Sequence, residues 1–284
     1  MRRPQRRRVL RRPSRKKSGA GLQKLGRGLQ QPTPRGGASV SLSAEQRQRY
    51  ARHLALPQIG EAGQEKLLRS KVLVIGAGGL GSPAAFYLAA AGIGTIGLMD
   101  GDTVDLSNLQ RQILHTTASV GQHKTESARQ RITALDPAIT VECHPFRLNA
   151  DNAPHILKSY DFIIDATDSF GSKHLICRAC HTAMKPWSHA GISDFHGQTM
   201  TIIPGQTACL HCLFDENEMT SDEAPRGPLG ALPGVIGSIQ AIEAIKCLLG
   251  IGDLLTDALL TFDALTMSFR KVAVRRNAEC EVCG

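Results

Sequence analysis

The chain has 284 residues, 42% hydrophobic and 21% charged, which suits one large globular domain or a domain with an appendage. The formal net charge is +9, yet residues 1–44 hold 13 Lys and Arg and no Asp or Glu, leaving the remainder at 9 − 13 = −4. The basicity therefore belongs to an arm and not to the fold, and no apolar run approaches the roughly 18 residues that a membrane span needs.

The arm, 1–42, is rich in Gly, Pro, Ser and Gln and is expected to stay disordered. A solvated tail or an over-extended start site is the plain reading. A nucleic-acid or membrane-surface contact and an Arg-rich transit peptide are the alternatives. No apolar segment of the secretory type follows the basic start, so a cytoplasmic location is expected, with nucleic acid contacted only through the arm and no membrane partner.

The folded body is expected over 43–284. Ser43 reads as the cap of a helix running to residue 54, with Gln46 completing a capping box. A second short helix fits 61–69. The apolar run 71–75 predicts a strand buried on both faces. It feeds Gly76-Ala77-Gly78-Gly79-Leu80-Gly81, and Ser82 and Pro83 read as the cap and first residue of a helix over 83–91, stopped at Gly92. Residues 95–99 form the next strand, which ends at Asp100. Helices over 124–135, 151–158 and 170–184 alternate with strands over 140–146 and 160–165. Strands over 197–203, 259–264 and 268–274 flank an apolar helix ending at Gly250. The fold class is α/β: a Rossmann-like, doubly wound, mostly parallel sheet with antiparallel strands added at the C-terminal end.

The glycine run matches G-x-G-x-x-G. Gly76 allows the tight turn, Gly78 lets backbone approach phosphate, and Gly81 lets helix pack on strand. The helix start then offers N–H groups to an anion. Asp100 lies 19 residues after Gly81, where a carboxylate can accept from ribose hydroxyls. Strand, glycines, helix and acid together predict a bound nucleotide.

NAD would be the default, but the cations favour a triphosphate. Attack at an α-phosphorus places charge on equatorial oxygens and on departing pyrophosphate, and fixed cations stabilise it. Arg111 and Lys124 are the candidates. Asp168, after the strand ending at Asp165, is placed to hold Mg²⁺ on ATP phosphates, while Asp165 caps or orients the loop.

Arg49-Tyr50-Ala51-Arg52-His53, the glycine run, Ser107-Asn108-Leu109-Gln110-Arg111-Gln112, Gly121-Gln122-His123-Lys124, Asp165-Ala166-Thr167-Asp168 and the segment 234–246 together resemble the MoeB/ThiF/HesA family, relatives of ubiquitin-activating enzymes. The resemblance covers about 43–284, in order. It implies an ATP-dependent adenylyltransferase that is a homodimer with one ATP site per subunit. Gly79, Asp100, Asp102, Ser107, Asn108, Leu109, Gln110, Arg111, Lys124, Asp168 and Ser169 fall on or beside its nucleotide-binding positions. Arg52 falls on an Arg that reaches the phosphates of the partner subunit's site. The implied substrate is the C-terminal Gly-Gly carboxylate of a ubiquitin-like sulfur carrier of the MoaD/ThiS type, in molybdopterin or thiamin biosynthesis. A tRNA base or small peptide as substrate, an NAD oxidoreductase and a non-catalytic scaffold are the rival readings.

Cys209-Leu210-His211-Cys212 and Cys280-Glu281-Val282-Cys283 form two C-x-x-C knuckles, a set of four thiolates that suits structural Zn²⁺. The resemblance supports this, and two reduced pairs without metal are the alternative. His211 reads as a bystander, Cys177 and Cys180 as helix-face packing, and His115, His174, His181, His189 and His196 receive no role. Three departures from the family stand out: Ser221 near a crossover-loop position that often holds Cys, Ser169 in place of Asn, and Lys173 in place of Arg. Adenylate chemistry without a thioester on the chain, and a separate sulfur donor, are the expectations.

Overall fold

The computed structural model describes residues 41–214 and 227–284. The basic arm and Ser221 fall outside them. Ser43 caps Ala44–Arg49 (α1) as expected: its hydroxyl accepts from the Gln46 N–H and the Gln46 side chain accepts from the Ser43 N–H. The single helix expected to reach residue 54 is instead broken at Tyr50 (φ −97°, ψ 16°), and Ala51–Leu54 (α2) follows as a separate turn. The cause is tertiary. Buried Tyr50 donates its hydroxyl to Asp136 Oδ2 at 2.8 Å, and its ring fills the space beside Gly92. Gly60–Arg69 (α3) then leads into the sheet.

Eight strands form one sheet: Lys71–Ile75 (β1), Thr95–Met99 (β2), Thr140–His144 (β3), Phe162–Asp165 (β4), Trp187–Ser193 (β5), His196–Ile202 (β6), Ala258–Asp263 (β7) and Ser268–Ala273 (β8). Their spatial order is β3-β2-β1-β4-β5-β6-β7-β8. Strands β3 to β5 in that order run parallel, and β5 to β8 are joined antiparallel. The expected mixed, Rossmann-like architecture is thus present. Strand β5 is the element that the sequence pattern did not announce.

Helices Gly81–Ala90 (α4), Lys124–Leu135 (α5) and Leu232–Leu249 (α8) cover one face, with Ala153–Leu157 (α6) and Phe170–Thr182 (α7) on the other. Strand β1 shows why both faces must be covered. It sends Val72 and Val74 into one apolar layer and Leu73 and Ile75 into the other. Each such fully buried side chain contributes about 1.5–3 kcal/mol. Ser82 is not the cap of α4. The helix begins one residue earlier, and the Ser82 hydroxyl donates to the Gly78 carbonyl at 2.7 Å. Helix α8, 18 residues with mean hydropathy 1.4, does have the length and composition of a membrane span. It is a core helix instead, packed on α4 and β4–β6, with the polar Gln240 and Glu243 buried along it.

Candidate active site

The turn after β1 is the foundation. Gly76 has φ +97°, and a Cβ there would stand 2.6 Å from the Ala166 carbonyl oxygen. At Gly81 a Cβ would stand 1.9 Å from the Gly76 carbonyl oxygen, so α4 seats directly on the turn. At the end of β2, Asp100 accepts from the Ala77 N–H at 2.8 Å and from the Asp102 N–H at 2.9 Å. The acid therefore locks the second strand's end against the glycine turn.

Above the carboxyl ends of β1, β2 and β4 lies a cavity of about 1150 Å³. Gly76, Gly78, Gly79, Asp100 and Asp102 border it from one side. Arg111, Lys124, Asp168 and Ser169 border it from others. The remaining expected residues do not line it. Gly81 lies beneath the turn. Ser107 bonds Asp105 with both its hydroxyl and its N–H. Asn108 bonds Ser107, Leu109 is half-buried, and the Gln110 carbonyl abuts Gly230 before α8. Arg52 is exposed on α2, away from the cavity.

The charges are arranged in a chain. Lys124, 6% exposed at the start of α5, places Nζ 3.1 Å from Asp102 Oδ2 and 4.0 Å from Asp100 Oδ2. Arg147 reaches Asp102 Oδ1 at 3.0 Å. The Arg147 guanidinium holds the Asp102 carboxyl below its ordinary value, with Lys124 assisting against partial burial. Arg111 packs its stem over Gly79 and donates to the Ser107 carbonyl. Asp168 makes no hydrogen bond or ion pair among the described residues and presents its carboxylate to the cavity. Ser169 caps α7 by accepting from the Ser172 N–H, a role that Asn also performs, which accounts for the departure locally.

The lining also includes residues outside the expected set, among them Gln112, Arg147, Lys173 and His189. Lys173 is 3% exposed and saturated. Its Nζ donates to Asp165 Oδ2 (3.2 Å), the Thr167 carbonyl (2.6 Å) and the Ala190 carbonyl (2.6 Å). Asp165 also accepts from the Thr167 N–H and hydroxyl and from His189 Nδ1. It thus orients the loop carrying Asp168, as the sequence suggested. Burial pushes its pKa up, but Lys173 and His189 outweigh burial and hold it at about 2. The departure of Lys173 from Arg was visible in the sequence, whereas its three acceptors were not.

The thiols of Cys209, Cys212, Cys280 and Cys283 lie within 4.8 Å of one another. Cys209–Cys280 and Cys212–Cys283 are separated by 3.6 and 3.3 Å. Four sulfurs around one tetrahedral Zn²⁺ would be about 3.8 Å apart, so the set fits that ion with no position left open. His211 is turned away to His174, Nε2 to Nδ1 at 2.9 Å. Cys177 and Cys180 are buried on α7, as packing residues should be.

Residues 50–282 match the ThiF family. The chain is 44% identical over 248 residues to the sulfur carrier protein adenylyltransferase of Thermus thermophilus, spanning 84% of this chain and 92% of that one. It is 43% identical over 244 residues to the probable adenylyltransferase/sulfurtransferase MoeZ of Mycobacterium tuberculosis, spanning 84% and 62% respectively. The solved structure of E. coli MccB with ATP superposes with a TM-score of 0.69 at 25% identity, over 78% of this chain and 68% of that one. The chain belongs to the ThiF family, and like the relatives it matches it is an adenylyltransferase.

Proposed function

We propose that the chain adenylylates the C-terminal glycine carboxylate of a ubiquitin-like sulfur carrier, in molybdopterin or thiamin biosynthesis in the cytoplasm. The observation that carries this reading is the convergence of Arg111, Lys124 and Asp168 on one cavity over the glycine turn. The likeness to the Thermus thermophilus enzyme supports the carrier as substrate.

ATP lies with its phosphates over the N-terminus of α4, where N–H groups and the helix dipole favour anions. Asp100 faces the ribose. The carrier's carboxylate attacks the α-phosphorus, an acyl-adenylate forms, and pyrophosphate departs. Arg111 and Lys124 stabilise the charge that spreads over phosphoryl oxygens, with no reorganisation at the moment of reaction. Lys124 does so by exchanging Asp102 for phosphate, while Arg147 keeps Asp102 compensated. Asp168 would hold Mg²⁺, which neutralises phosphate charge and orients the leaving group.

The active unit is a homodimer in which Arg52 serves the partner subunit's phosphates. The four thiols hold structural Zn²⁺, and sulfur comes from a separate donor protein. The test is carrier-dependent ATP–pyrophosphate exchange, with calorimetry comparing ATP·Mg and NAD. Exchange that appears only with carrier supports the reading. NAD binding tighter than ATP binding would overturn it.

A further inference from the structure

Adenylylation asks for no proton acceptor on the enzyme, because a carboxylate with a pKa of about 4 is already ionised at neutral pH. One buried titratable group on the cavity wall is therefore left without a task. His189, on β5, is 1% exposed, and its ring borders the cavity. Its Nδ1 stands 3.3 Å from Asp165 Oδ2. An ionised carboxylate only accepts, so the ring proton sits on Nδ1. Nε2 is then a bare lone pair, and it has no hydrogen-bond partner among the described residues. A buried acceptor left in this way is destabilising.

The groups facing the ring are Asp165, Lys173 and His174. Burial lowers the pKa of His189, and the charges of Lys173 and His174 add to that against the pull of Asp165. Nor is the imidazole needed to compensate Asp165, whose charge already meets Lys173 at 3.2 Å. An acid that fixes the tautomer of a neutral imidazole with a bare Nε2 is the arrangement that takes a proton from a nucleophile.

We infer that Asp165 and His189 form a general-base dyad for a second half-reaction, in which a thiol consumes the acyl-adenylate. This rests on the adenylylation reading above. A thiol has a pKa of about 8.5, so its proton must be removed near neutrality. The S–H proton passes to Nε2, the sulfur–carbon bond forms, and the bond from the acyl carbon to the phosphate oxygen breaks. AMP leaves with that electron pair, the imidazolium later yields its proton to water, and no electrons change hands.

The test uses the full chain with ATP, magnesium and the sulfur carrier of Thermus thermophilus as the acyl probe. Pyrophosphate exchange reports the first half-reaction, and AMP release on adding a small alkyl thiol with a pKa of about 8.5 reports the second. His189→Gln keeps a polar side chain but cannot take the proton. The ratio of AMP release to exchange is expected to fall about a hundredfold. A ratio within twofold of the parent would overturn the dyad. If the parent chain gave no exchange with this carrier, the adenylylation reading would suffer, and the tautomer would decide the dyad separately. In nitrogen-15 spectra of the histidine-labelled chain, His189 is identified by its loss in His189→Gln. It should be neutral with the proton on Nδ1 near neutral pH. An imidazolium or a proton on Nε2 would overturn the proposal.

Discussion

Lys124 and Asp102 are bonded to each other, Nζ to Oδ2 at 3.1 Å, on the rim of the cavity above the glycine turn. The cation is held where phosphate would lie and is kept nearly dry by its position at the start of α5. Replacing it should cost transition-state stabilisation and little stability. Lys124→Ala is expected to lower kcat/KM for exchange by about 10²–10³-fold, with an unchanged circular dichroism spectrum. A loss below about threefold would remove Lys124 from the chemistry.

Asp168 differs from the neighbouring acids in having no cation bonded to it among the described residues. A carboxylate facing a phosphate site without a partner suits a metal bridge. Asp168→Asn should abolish exchange at ordinary magnesium and leave the melting temperature within a degree or two. Normal exchange by this variant would refute the metal role.

Arg52 lies on the exposed face of α2, outside its own subunit's cavity. If it serves the partner's site, Arg52→Ala and Asp168→Ala homodimers are both inactive, yet mixing them restores one working site per mixed dimer. Random pairing predicts recovery to roughly a quarter of parental activity. No recovery after subunit exchange would show that Arg52 does not act across the interface.

The four thiols join the segment after β6 to the end of the chain after β8. Backbone N–H groups of Val282 and Cys283 draw the Cys280 thiol down to about 7 against burial, whereas burial pushes Cys212 up. A metal must displace protons from the set, so its loss should be felt as stability. Cys280→Ser or a strong chelator is expected to lower Tm by on the order of 5 °C and to abolish stoichiometric zinc in elemental analysis. An unaltered Tm and no zinc in the parent would remove the metal.

Asp165 supplies a pH signature. Its folded pKa of about 2 lies below the ordinary 3.8. A depressed folded value means that the contribution is complete above pH 3.8 and drains away as pH falls towards 2. The difference amounts to about 2 kcal/mol. Asp165→Asn should lose this dependence and should cost about 3–5 kcal/mol near neutrality, because Lys173 would remain buried without its counter-charge. Parallel stability curves for parent and variant between pH 5 and 2.5 would sink this account.

Strands β1 and β2 and helix α5 were legible to the residue, because each is a continuous apolar run or a stretch bounded by clear stop signals. Strand β5 was not. Its sequence, Trp-Ser-His-Ala-Gly-Ile-Ser, neither alternates nor runs apolar, since Ser188 and His189 are buried through side-chain partners 24 and 52 positions away. The break at Tyr50 was hidden for the same reason, its cause being a hydroxyl bond to Asp136. In the cavity, the glycines, Asp100, Arg111, Lys124 and Asp168 were legible from spacing and type. The Lys173–Asp165–His189 cluster was not, because three buried ionisable groups look unremarkable in sequence until the sheet places β4 beside β5.

The cavity begins at the glycine turn on β1 and ends against Thr261 on β7 and Arg270 on β8, nearly two hundred positions downstream, yet both ends belong to one hydrogen-bonded sheet. Two ligands meeting here are therefore aligned by strand register and not by the closing of two lobes. Their separation is fixed when the chain folds. A one-residue slip anywhere between β4 and β7 would turn the lining side chains of those strands to the opposite face and misplace one reactant relative to the other.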